Sequence, residues 1–216
     1  MADIKKIVAV NASPRVGWNT DSIVKEAMKA ASDAGCVTEY FNLYKLEQYT
    51  GCRSCFGCML EGHEGHCVVK DGLTPVLDAI RESDGLIIGT PNYFSEPTAA
   101  FRALFERLIF QYLTYERERV SSSTRKIPVL FIMTSNAPED FYDRVGYTEI
   151  IDRVCGSIET HIGPVTRLIV SDTLQVRDYS RYKWTYFDPE HKKERHDSVF
   201  PEDLKRAYEI AGRMFG

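Results

Sequence analysis

Four of the six cysteines fall within residues 52–67: Cys52, Cys55 and Cys58 at steps of three, then Cys67 after a gap of eight. Thiolates at successive steps of three can wrap one iron–sulfur cluster, with a fourth ligand arriving later in the chain. The same residue type also suits tetrahedral zinc and dithiol chemistry. Three readings stay open on the residues alone. Cys52, Cys55, Cys58 and Cys67 hold a [4Fe–4S] cluster; or they close a zinc site, alone or with His63 and His66; or they are free thiols lining a substrate or interface loop. The gap to Cys67 is longer than in compact ferredoxin-like runs, and Val68 rather than proline follows it. Cys36 and Cys155 stand apart, and each reads as a small buried hydrophobe.

A second set of residues points to a ligand. Ser13, Arg15, Asn19 and Thr20 follow an apolar run at 4–10 and precede a helical pattern. They offer hydroxyls, a guanidinium, an amide and the free N–H groups of a helix start, which a phosphate dianion needs. Pro91, Asn92, Tyr93 and Phe94 follow the apolar run 85–90, and Ser135 and Asn136 follow the run 127–133. The first of these loops brings aromatic rings and backbone amides suited to a flat conjugated ligand. In an open parallel sheet ligands bind beyond the carboxyl ends of the strands, so the three loops are expected at one edge. Phosphate plus planar heterocycle describes flavin mononucleotide (FMN). No glycine-rich loop with lysine and no GxGxxG occurs, which removes the nucleoside triphosphate and Rossmann dinucleotide readings. No residue stands out as a general acid or nucleophile, and hydride transfer to a flavin needs none.

The elements that must position these residues alternate. Strands are expected at 4–10, 36–43, 85–90, 127–133 and 165–171, and helices after Asn19-Thr20-Asp21 through Ala34, at 73–82, 97–112, 150–160 and from 201 onward. Such alternation argues for an α/β domain with a parallel sheet covered on both faces. The 216 residues are read as a single domain, 1–216, with a cysteine-rich loop at about 50–71 and a surface excursion at about 172–200. The excursion, with acidic residues breaking up its basic ones, reads as a solvated or subunit-packing segment. A net charge of −4 gives no basic field for nucleic acid. No apolar run reaches the roughly 18–20 residues that cross a bilayer. Without a leader pattern ahead of the first strand, a cytoplasmic location is the expectation.

At the motifs Ser13-Pro14-Arg15 with Asn19-Thr20, Pro91-Asn92-Tyr93-Phe94 and Cys52 to Asp71, the chain resembles the NADPH-dependent FMN reductase and iron–sulfur flavoprotein branch of the flavodoxin-like superfamily. The resemblance implies a flavodoxin-like doubly wound five-stranded parallel sheet of order 2-1-3-4-5, with helices on both faces and a C-terminal excursion. It implies an FMN-dependent oxidoreductase that passes electrons from NAD(P)H to a quinone, nitro compound, flavin or redox protein. The alternative is an iron–sulfur flavoprotein electron carrier whose [4Fe–4S] cluster accepts electrons from ferredoxin. A homodimer or homotetramer is implied as well. Two positions depart from the pattern: Trp18 replaces a common glycine, and Gly72 replaces a common second aspartate.

Overall fold

The computed structural model describes residues 4–216. Strands β1 (Lys6–Asn11), β2 (Val37–Asn42), β3 (Gly85–Tyr93), β5 (Val129–Thr134) and β6 (Val165–Val170) are parallel, in the order β2-β1-β3-β5-β6. Counted without the two-residue β4 (Glu96–Pro97), this is the expected order 2-1-3-4-5. Strand β4 was not foreseen; it turns back antiparallel on the end of β3, pairing Asn92 with Pro97 and Tyr93 with Glu96. Among the described residues, no helix is long and apolar enough to cross a membrane.

The central strands are buried on both faces because their side chains alternate between two cores. Val8, Val10, Leu86, Ile88, Phe131 and Met133 face helices α2 (Thr74–Glu82), α3 (Ala99–Phe110) and α4 (Tyr147–His161). Ile7, Ala9, Ile87, Leu130, Ile132 and Leu168 face α1 (Asn19–Asp33) and α6 (Phe200–Phe215). Each large apolar side chain so buried contributes roughly 1.5–3 kcal/mol. Cys36 and Cys155 are buried in these layers, as their apolar surroundings in the sequence suggest.

One close approach matters for the ligand edge. A Cβ on Gly89 would lie 2.3 Å from Val24 Cγ2 and 3.1 Å from Thr20 Cγ2. Glycine there lets the start of α1 press onto β3, so that Thr20 Oγ1 reaches Thr134 Oγ1 of β5 at 2.7 Å. The excursion after β6 contains a helix the periodicity did not predict, α5 (Pro189–Ser198).

Candidate functional site

Three loops at the carboxyl edge of the sheet line a cleft of about 100 Å³. Of the ten residues singled out for a flavin, Ser13, Arg15, Asn19, Thr20, Pro91, Asn92, Tyr93, Ser135 and Asn136 all line it. Phe94 does not; it borders a neighbouring chamber that shares Asn92, Ser135 and Asn136 with the cleft.

The first loop is organised by Asp21, which is fully buried. Its carboxylate accepts from Gly17 N at 2.6 Å, Lys25 Nζ at 2.8 Å, Asn11 Nδ2 at 3.0 Å and the Tyr40 hydroxyl. Burial by itself would raise this carboxyl, but the bonds from Lys25, Tyr40 and Gly17 outweigh it and hold it below the usual range. The Tyr40 phenol is pushed up to about 12 by burial and by the neighbouring carboxylate. Ser13 donates its N–H to Asn11 Oδ1 at 2.9 Å, and its hydroxyl accepts from Arg15 N. Helix α1 begins after Trp18, whose side chain supplies no cap acceptor, and Asn19 and Thr20 of its first turn line the cleft.

Trp18 neither blocks the loop nor floats free. The guanidinium of Arg15 lies 4.8 Å from its ring centroid, and that of Arg177 lies 5.7 Å away. Arg15 also donates to Gln175 O at 2.6 Å, and Asn19 Nδ2 to Leu174 O at 2.9 Å. The beginning of the excursion therefore seals the phosphate-type loop, and Thr173 and Gln175 join the lining. Sequence reasoning missed these two and took the whole excursion as a solvated or subunit-packing surface.

The second loop is a tight hairpin. Phe94 and Ser95 both adopt left-handed backbone, with φ of 53° and 72°, and Phe94 is fully exposed. A two-residue hairpin of type I′ needs positive φ at both central positions, normally met by Asn-Gly pairs. Placing a bulky residue there stores strain beside the cleft. Just inside the hairpin, Asn92 Nδ2 is buried without a hydrogen-bond partner, and so is Asn136 Oδ1 from the third loop. A buried donor and a buried acceptor left open on the shared wall each cost about 1–3 kcal/mol unless a ligand engages them.

The four clustered cysteines meet at a second candidate site. Cys52, Cys55, Cys58 and Cys67 all line one narrow cavity between their loop and α3. Left-handed backbone at Ser54 and Phe56 winds the loop between them. Burial pushes the Cys58 thiol up, and the proximity of Cys67, Cys52 and Cys55 adds to the shift. Arg107 and Gln111 line the same cavity, each 1% exposed, and Arg107 Nε and Gln111 Nε2 have no acceptor.

Arg107 also anchors the loop, donating to Asp71 Oδ1 at 2.5 Å and Val69 O at 2.7 Å. A single zinc ion would need its thiolates about 3.8 Å apart. Among the described residues, no three His, Cys, Asp or Glu are placed to hold one ion. His63 and His66 are exposed and lie off the cavity. A four-iron cluster spaces its thiolates more widely, one per corner, and offers sulfur acceptors to nearby N–H groups.

The Gly72 departure has a steric reason. A Cβ there would sit 2.3 Å from Glu47 O, so an aspartate would collide with backbone. Asp71 alone supplies the acidic group, accepting from Leu73 N at the start of α2.

The family model for NADPH-dependent FMN reductase matches residues 5–139. An iron–sulfur flavoprotein of Methanocaldococcus jannaschii is 33% identical over 102 residues, covering 47% of this chain and 51% of that protein. One from Clostridioides difficile is 26% identical over 191 residues, covering 79% and 75%. The match thus spans about half the length of the first relative. Among solved structures, an NAD(P)H:quinone oxidoreductase from Methanothermobacter marburgensis superposes with a TM-score of 0.73 at 15% identity, covering 97% of this chain and 98% of its own. An FMN-dependent NADH-azoreductase from Bacillus anthracis, in complex with FMN, gives 0.68 at 12% identity, covering 99% and 100%. These likenesses carry the flavodoxin-like fold. With the family model covering well over half of the sequence, the chain belongs to the NADPH-dependent FMN reductase family.

Proposed function

We propose that the protein is an FMN-dependent oxidoreductase that takes electrons from NAD(P)H and passes them to a small acceptor such as a quinone, nitro compound or flavin. The observation that carries this reading is the pair of open amides on the wall of the cleft. The pyrimidine edge of a flavin presents carbonyl acceptors on either side of an imide N–H. Asn92 Nδ2 would donate to a carbonyl, and Asn136 Oδ1 would accept from the N–H. Ser13, Arg15, Asn19, Thr20 and the start of α1 would hold the phosphate. Pro91, Tyr93 and Ser135 would frame the ring. When bound, FMN supplies the hydride chemistry; the chain binds, orients and screens it. The flavin-bound azoreductase and the quinone oxidoreductase of like fold support the class of reaction.

Asn136→Ala removes the open acceptor at its source. Titration of apoprotein by flavin fluorescence is expected to show FMN binding weakened about tenfold, corresponding to about 1.4 kcal/mol. Unchanged affinity would remove this wall from the ring site.

A second reading adds a [4Fe–4S] cluster on Cys52, Cys55, Cys58 and Cys67, making the protein an iron–sulfur flavoprotein that accepts electrons from ferredoxin. The favouring observation is the union of four thiols and two unpartnered N–H donors, Arg107 Nε and Gln111 Nε2, around one cavity. The curated relatives named iron–sulfur flavoprotein lend it further support. Protein purified and reconstituted without oxygen is expected to carry about four irons and matching sulfide per chain, with a broad absorbance bleached by dithionite. A flavin spectrum without iron would leave the cysteines as free thiols.

A further inference from the structure

Beside the flavin cleft lies a chamber of about 510 Å³ whose far wall is built by the excursion. Its floor is the wall already described, with Asn92, Ser135 and Asn136. Phe94, Phe141, Tyr147, Tyr186 and Phe187 supply its apolar sides. The excursion is fastened to that floor by charge. Asp172, in left-handed backbone just after β6, donates its N–H to Ala137 O at 2.8 Å. Lys192 of α5 is 4% exposed; it donates to Asn136 O at 2.6 Å and to the Asp172 carboxylate. His191, the residue before it, places Nε2 at 2.6 Å from Asp172 Oδ2. A chain of hydrogen bonds thus runs from the ring wall through Lys192 and Asp172 to an imidazole bordering the chamber.

A chamber lined by five aromatic rings and sharing Asn92, Ser135 and Asn136 with the cleft suits a planar conjugated acceptor. Reduction of a quinone to its hydroquinone takes one hydride and one proton. The quinone gains the hydride from reduced FMN, which returns to its oxidised form; the second oxygen needs a proton from elsewhere. Imidazole with one ring nitrogen held by a carboxylate is built for that transfer. Asp172 fixes the ring through the Nε2 contact, while Lys192, bonded to the same carboxylate, holds Asp172 ionised and in place. The charged and titratable groups facing His191 across the chamber and its lip are Asp172, Asp188, Lys192 and the phenols of Tyr147 and Tyr186.

We propose that this chamber holds a quinone-class acceptor against the flavin, and that His191, oriented by Asp172, donates the proton that accompanies hydride transfer. The donated proton forms the second hydroxyl as the carbonyl π bond opens, and solvent restores it to the imidazole. The inference rests on the FMN reductase reading and adds to it a substrate chamber and an acid.

The test is His191→Gln, which keeps a donor for Asp172 but has no acidic proton. FMN-loaded wild type and variant are assayed with NADPH and NADH, using menadione and ferricyanide as acceptors. Ferricyanide takes single electrons and no proton. The menadione-to-ferricyanide rate ratio is expected to fall about 100-fold in the variant. The decline of the wild-type menadione kcat with rising pH is expected to disappear from its profile. An unchanged ratio, or a pH profile identical to wild type, overturns the assignment while leaving the reductase reading intact. Wild type that binds FMN but oxidises neither nucleotide overturns the reductase reading, and the proposal with it.

Discussion

Replacement of Arg107 by methionine is expected to destabilise the protein by about 3–5 kcal/mol and to free the cysteine loop from α3. Methionine roughly keeps the volume, so the loss measures polar anchoring more than packing. The guanidinium is 1% exposed and binds Asp71 Oδ1 at 2.5 Å, Val69 O at 2.7 Å and Thr50 O at 3.5 Å. Those partners lie at both ends of the loop, so one side chain closes it. Removing the guanidinium strands a carboxylate whose side chain is only 13% exposed, which is why the cost exceeds that of a surface pair.

Burial would raise the Asp71 carboxyl, but Arg107 and the N–H groups of Leu73 and Thr50 hold it below its ordinary value. Its folded pKa is depressed, so its contribution is present above the unfolded pKa of about 3.9 and is lost as pH falls through the lower folded value. Urea unfolding of wild type, Arg107→Met, Asp71→Asn and the double variant forms the check. Single variants each costing under about 1 kcal/mol would show that the loop is held by something else. Iron content of the same proteins is expected to fall with the anchor if the cluster is present.

Asp21→Ala is expected to have a comparable effect at the other site, costing about 3–5 kcal/mol and abolishing tight FMN binding. The carboxylate joins β1 through Asn11, β2 through Tyr40, α1 through Lys25 and the first loop through Gly17 N. Its loss leaves several donors open and lets the loop that carries Ser13 and Arg15 relax. Asp21→Asn keeps the shape and isolates the charge.

The pH dependence has a definite sign on both sides. Asp21 is depressed when folded, so its contribution fades as pH falls below the ordinary carboxylate value. Tyr40 is raised to about 12, so its contribution is complete below about 10 and is lost as pH rises toward 12. Urea midpoints across pH are expected to drop at both ends in wild type, and much less in Asp21→Asn. Parallel pH curves for the two proteins would show that Asp21 does not govern the loop.

Much of this was readable because strong local signals agreed. Gly85 and the apolar run after it marked β3, and Asn19-Thr20-Asp21, expected just ahead of the first helix, form its first turn. The parallel-sheet rule then brought the three polar loops to one edge. What stayed hidden lacked a periodic signal. Helix α5, from Pro189 to Ser198, has no apolar face; it forms because Asp188 caps it, with Oδ1 accepting from Glu190 N at 3.0 Å, and because Lys192 is pinned from below. An aspartate followed by proline and glutamate is a helix-start pattern and was the available clue.

Arg107 and Gln111 escaped notice because arginine and glutamine are usually solvated. Yet they fall on the stripe of Leu104 and Leu108 at spacings of three and four, which places them inside. The Phe94–Ser95 turn could not be read, since its residues contradict the turn they occupy.

The bonds from Arg15 to Gln175 O and from Asn19 to Leu174 O span 160 and 155 positions of sequence. They imply an order of assembly. Contacts of such separation form late, after the sheet has brought its edge together. A ribosome-bound chain that has not yet exposed residues beyond 170 has the sheet's first strands but an open-sided cleft. The first loop is therefore walled on one side by backbone from the far end of the sheet, so the cleft is complete only when the segment after β6 is docked against it.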